Sequence, residues 1–138
     1  MTNPKQQNYF MPPEWYPHEC CWMQWPHEFQ NKNSYQEVES WSHFDFEKGR
    51  HKWAEVAKAI SNYEKVNMIV HPQDLEIAKK LLHDSINIFE FHNDDCWARD
   101  SGATFLLNDK KKLGGVDWEF NGWGNSHRMT LIIKLLSL

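Results

Sequence analysis

Residues 92–102 read His-Asn-Asp-Asp-Cys-Trp-Ala-Arg-Asp-Ser-Gly and hold the densest set of chemically capable side chains in the chain. Asp94, Asp95 and Asp100 supply three carboxylates, with Trp97 between them and His92 and Arg99 close by. A carboxylate meets a planar guanidinium with two parallel charge-assisted hydrogen bonds. An indole face attracts the same cation through its π-system. Acids and a Trp in one loop therefore suit a guanidinium or amine ligand. Two plainer roles compete. Loop Asp and Asn side chains often bond their own backbone and cap a turn, and Arg99 can pair with Asp94 or Asp95 as an ordinary surface ion pair. An exposed loop has little reason to carry a Trp, which favours the ligand.

The elements that must position this loop follow from periodicity. Cys20–Trp25 reads as a short strand closed by Pro26. Trp53, Val56, Ala57, Ile60 and Tyr63 recur at helical spacing, which predicts an amphipathic helix over Arg50–Tyr63. Val66–Val70 predicts a buried strand broken by Pro72. Leu75, Ala78, Leu81 and Leu82 predict a second helix with Lys79 and Lys80 exposed, and Ile86–Phe91 a third strand. Thr104–Leu107 and Val116–Phe120 predict two more strands joined through a Lys-rich turn at 109–112. Residues 1–19 read as an extended, proline-marked arm, and 27–48 as a long aromatic loop of the kind that tends to be functional. The order is α/β, and the candidate loop follows a strand, where α/β proteins place ligands.

Composition bounds the function. At 138 residues the chain suffices for one modest domain. A net charge of −4 argues against a nucleic-acid-binding face. No apolar run reaches the roughly 18 residues of a membrane span, and the apolar stretch Met129–Leu138 is far shorter. Cys20, Cys21 and Cys96 are odd in number, two are adjacent, and the N-terminus has no apolar leader, so a reducing, cytoplasmic setting is expected. His18, Glu19, Cys20, Cys21 and His27 lack the paired spacing of a zinc site, so no metal is expected. Eight Trp residues suggest a large aromatic core or a grip on a flat or cationic ligand.

Three blocks in order resemble the agmatine deiminases of the guanidino-group-modifying superfamily. Met11-Pro12-Pro13-Glu14-Trp15-Tyr16-Pro17-His18-Glu19 with Trp22-Met23-Gln24-Trp25-Pro26 is similar to the family's first block. Asp94-Asp95-Cys96-Trp97-Ala98-Arg99-Asp100-Ser101-Gly102 resembles the second, and Val116-Asp117-Trp118-Glu119-Phe120-Asn121-Gly122-Trp123-Gly124 the third. The resemblance covers residues 11–125. It implies a five-part α/β propeller of the pentein type, of which 1–138 would be a single incomplete domain, the first third or so.

The resemblance also implies a reaction. A Cys thiolate attacks the guanidinium carbon of agmatine, ammonia leaves, and water releases N-carbamoylputrescine, a step of putrescine biosynthesis that needs no cofactor. By matching position, Asp100 would hold the guanidinium and Trp97 would wall the pocket. Asp95 and Asp94 are further pocket candidates, and Trp25 and Trp118 would line the substrate channel. The family's nucleophilic Cys and catalytic His would lie beyond this chain, so the chain alone is expected to be inactive, with its own cysteines structural. Ala103 stands where the family usually has Pro. The tail 126–138 departs from the family and is expected to reflect a frameshift or an early stop. The alternative is a non-catalytic module that holds a guanidinium or amine ligand, or a vestigial frameshifted product. Homo-oligomerisation of a full-length enzyme stays open.

Overall fold

The computed structural model describes residues 4–27, 45–93, 95–118 and 120. Most of the expected aromatic loop, Asp94, the end of the third block and the tail 126–138 lie outside the described residues. Two three-stranded sheets organise the rest. Strands β2 (Cys20–Gln24), β3 (Lys65–Val70) and β4 (Ile86–Glu90) form a parallel sheet with β3 in the centre. Helices α1 (Phe46–Ile60) and α2 (Leu75–Leu81) occupy the connections between these strands. Strands β1 (Tyr9–Phe10), β5 (Thr104–Asn108) and β6 (Leu113–Val116) form an antiparallel sheet with β5 in the centre. A single helical turn, α3 (Ala98–Ser101), lies in the loop after β4. No helix among the described residues is long and apolar enough to cross a membrane.

The core sits between the parallel sheet and its helices. Val66, Met68 and Val70 alternate onto one face of β3 and pack with Trp25, Ala54, Ala57, Ala78, Leu82 and Ile86. The other face carries Asn67 and Ile69, both also buried. This all-round burial is what a central parallel strand requires. Asn67 answers its own polarity by donating to Cys20 Sγ at 3.3 Å and accepting from Asn87 Nδ2 at 3.0 Å, a polar row across all three strands.

Helix α1 starts four residues before the expected Arg50 because Asp45 caps it. Its carboxylate accepts the Lys48 N–H at 3.0 Å, and that bond, with the Lys48 ammonium, holds the carboxyl below the usual carboxylate range. The buried stripe is also shifted. Val56 is half exposed and Tyr63 lies beyond the helix end, 91% exposed. Arg50, Trp53, Ala54, Ala57 and Ile60 face inward instead, so a charged residue opens the apolar stripe.

The last strand departs from expectation as well. It is Leu113–Val116, and Asp117 and Trp118 lie outside it. Asn108 explains the register. Its Oδ1 accepts from the Lys110 and Lys112 backbone N–H groups at 3.0 and 2.8 Å, and Lys111 takes a left-handed φ of 58°. The turn is therefore tight and the strand resumes at once. Gly114 and Gly115 hide that strand from a propensity reading. Glycine at 114 makes room for the Tyr9 ring, since a Cβ there would lie 2.8 Å from Tyr9 Cε1. The pairing of Tyr9 with Asn108 turns part of the expected N-terminal arm into β1.

A buried polar cluster joins β2, α1 and α2. Asp74, just before α2, takes His27 Nδ1 at 2.6 Å on one oxygen and Arg50 NH2 at 2.7 Å on the other. Arg50 Nε donates to the Pro26 carbonyl at 3.1 Å. His27 stacks on His71 with ring centroids 3.7 Å apart. His71 Nδ1 accepts the Gln73 N–H, which leaves its Nε2 to donate to His92 Nδ1 at 3.1 Å. Replacing Asp74 with Ala would strand a buried guanidinium. The expected loss is about 3–5 kcal/mol of unfolding free energy, measured by urea titration followed by Trp fluorescence. A loss below about 1 kcal/mol would show that water answers these charges instead.

Candidate functional site

The candidate loop leaves β4 and folds back over the end of β2. Asn93 anchors it. This residue is 1% exposed, and its Nδ2 donates to the Trp25 and Asp95 carbonyls at 3.2 and 3.1 Å. Asp95 is buried too, and its Oδ1 accepts the Cys96 N–H at 2.7 Å and the Trp97 N–H at 3.4 Å. One carboxylate oxygen thus holds the backbone just ahead of α3, the local role open to any loop Asp. The turn closes with Gly102 N–H on the Ala98 carbonyl at 2.9 Å. A Cβ at Gly102 would come within 2.4 Å of that carbonyl oxygen, so the turn requires glycine there.

The candidate side chains separate by environment. Asp100 lies exposed on α3, its N–H on the Trp97 carbonyl at 3.0 Å. Trp97 is 40% exposed and meets Trp53 of α1 edge-on, centroids 5.8 Å apart. Arg99 reaches back to Glu14 at 2.8 Å, so the first and second sequence blocks touch here. The plainer alternative weighed above paired it with Asp94 or Asp95. Trp118 is exposed and donates its indole N–H to Thr104 Oγ1 at 2.8 Å. Trp25 is fully buried in the core, and its indole N–H has no hydrogen-bond partner among the described residues. Asp94 lies outside the described residues.

A pocket of about 260 Å³ opens beside the turn, lined by Trp22, Met23, Trp53, Val56, Trp97 and Arg99 among others. Its wall is mainly aromatic and aliphatic. His18 and His27, weighed above as metal ligands, instead face Glu64 and Asp74, each at 2.6 Å.

Sequence reading missed Gln24, 2% exposed at the end of β2, which accepts the Ser101 hydroxyl at 3.2 Å. The one signal for it was an amide in a strand otherwise built of Cys, Trp and Met.

Burial pushes the Cys96 thiol up to about 12, with the neighbouring Asp95 charge adding to the effect. Burial also raises Cys20 and Cys21, and acidic neighbours add to it. None of the three is primed as a thiolate nucleophile. Alkylation by iodoacetamide at pH 8, read by mass spectrometry, should modify Cys96 at least about 10-fold more slowly than free cysteine. A rate equal to that of free cysteine would overturn the burial assigned to this thiol.

The profile of the Porphyromonas-type peptidyl-arginine deiminase family matches residues 10–133. A Legionella pneumophila relative is 43% identical over 127 residues, covering 91% of this chain and 34% of its own length. The agmatine deiminase of Stutzerimonas stutzeri is 37% identical over 124 residues, 89% of this chain and 31% of that enzyme. Among solved structures, the agmatine deiminase of Enterococcus faecalis superposes with a TM-score of 0.74 at 34% identity, over 90% of this chain and 31% of that one. A C. jejuni agmatine deiminase with substrate bound gives a TM-score of 0.66 at 25% identity, over 88% and 33%. The chain spans about a third of the length of the relatives it matches.

Proposed function

The chain belongs to the Porphyromonas-type peptidyl-arginine deiminase family, and we propose that it supplies the guanidinium-binding share of an enzyme that converts agmatine and water to N-carbamoylputrescine and ammonia. The turn at 95–102 carries this reading. It presents an exposed carboxylate, Asp100, and a half-exposed indole, Trp97, on a base whose backbone is bound down from below. The carboxylate suits the guanidinium edge and the indole suits its face. Holding the cation in one plane leaves its carbon open to a nucleophile approaching from the other side.

In this reading a thiolate from outside the described residues adds to that carbon. The tetrahedral adduct expels ammonia, and water then cleaves the carbon–sulfur bond and frees the thiol. Cys96 is not that thiolate, since its proton is held at neutral pH. Asp95 serves by fixing the turn, and Trp118 by offering an open indole face to the approaching substrate. Asp94 is a further pocket carboxylate in the same reading. The two-sheet unit is then the first third or so of a five-part propeller, acting in a cytoplasmic hydrolase of polyamine formation.

A chimera tests this. Replacing the matching third of the Stutzerimonas stutzeri agmatine deiminase with this chain should give an enzyme that releases ammonia from agmatine. Asp100→Ala in that chimera should lower kcat/KM on the order of 10²–10³-fold, the scale for losing one preorganised charge partner. A folded chimera without turnover would sink the proposal. Near-native kinetics in the variant would remove Asp100 from the site.

A further inference from the structure

We propose that Gln24 is a positioning residue for Asp100, an inference that rests on the reading of Asp100 just given. Helix α3 is only four residues long. One turn of helix has no stability of its own, because nucleation fixes several residues for a single bond. Something outside must set its rotation, and a rotation by one residue swings a helical side chain through about 100°. Asp95 fixes where the turn begins. At the other end, Ser101, 6% exposed and next to Asp100, donates its hydroxyl to Gln24 Oε1 at 3.2 Å, with the Trp97 carbonyl equally near.

Gln24 can hold that hydroxyl in place because it is itself held. It ends β2 in register with Ile69, and the next residue continues the pairing through Trp25 N–H on the Ile69 carbonyl at 2.8 Å. A buried amide costs free energy unless its hydrogen bonds are made, so the partner is not readily exchanged for water. The path is short: parallel sheet, Gln24 amide, Ser101 hydroxyl, α3, Asp100 carboxylate. Gln24 borders the pocket beside the turn but is only 2% exposed, and its tie to Asp100 runs through the Ser101 hydroxyl.

Two readouts test this separately. In the chain itself, Cys96 alkylation reports whether the turn stays closed, whatever the chain binds. In the chimera, kcat and KM for agmatine report whether Asp100 is aimed. Gln24→Leu and Ser101→Ala should each raise the Cys96 alkylation rate and lower kcat/KM roughly 10- to 100-fold. The double variant should be no worse than either single one, since both break the same bond. Ser101→Thr, which keeps the hydroxyl, should restore both values, and the melting temperature of Ser101→Ala should stay within a few degrees of the parent. Losses that add in the double variant, or a Ser101→Thr no better than Ser101→Ala, would overturn the proposal. If Gln24→Leu does not fold, Ser101→Ala against Ser101→Thr decides it. If the unmodified chimera is inactive while the alkylation pattern holds, the tie between Gln24 and α3 stands and the deiminase reading falls. Unchanged alkylation in every folded variant removes the tie.

Discussion

A buried carboxylate that must be neutralised organises the described part of this molecule. Asp74, between β3 and α2, has both oxygens engaged, His27 on one and Arg50 on the other. Removing such a charge from water is costly unless its partners are fixed in place. The three residues come from the end of β2, the first turns of α1 and the entry to α2. Meeting the charge therefore sets how these elements converge. Arg50 adds a bond to the Pro26 carbonyl, so the chain just past Trp25 is held by the same guanidinium that neutralises Asp74. The imidazoles of His71 and His92 extend the polar contacts to the start of the candidate loop.

The loop then rests on a frame that does not depend on its own short helix. Asn93 ties it to the Trp25 carbonyl, Asp95 ties its backbone, and Gln24 meets Ser101. What remains exposed on that base is the Asp100 carboxylate and the Trp97 indole, with the exposed Arg99 guanidinium paired to Glu14. Of the loop's two described carboxylates, the one with a structural task is buried and the one left in the open is suited to a cation. The separation runs through one continuous stretch of sequence, with Asp95 in the first class and Asp100 in the second.

Much of this was legible in the sequence, and the failures have physical causes. The three parallel strands and two helices follow from their apolar periods, because each buries one side against a common core. The start of α1 was misplaced because Gly49 and Arg50 interrupt the apolar pattern, while the deciding signal was the cap at Asp45. The buried stripe was misjudged because Arg50 counts as polar by type yet is paired in place. The last strand was misplaced because two glycines carry no strand signal, and the register was set by the Asn108 side chain. In the site, spacing distinguished the loop but not the tasks of its acids. Whether a loop Asp faces solvent or its own backbone depends on the local turn, which residue types do not determine. Gln24 was invisible because its partner lies 77 residues away.

The span of the Asp74 contact bears on how the chain reaches this state. His27 and Asp74 are 47 residues apart, and β2 pairs with β3 across a similar stretch. Strands β3 and β4 with α2 between them form a nearer, more local unit. The entropy of closing a long loop is spent before the contacts that reward it exist. The local unit can therefore assemble first, with β2 docking afterwards. Until it docks, the Asp74 carboxylate lacks His27, and the Trp25 carbonyl that anchors Asn93 is not in place. Order in the turn at 95–102 is then among the last things the folding chain acquires, and among the first it gives up when β2 loosens.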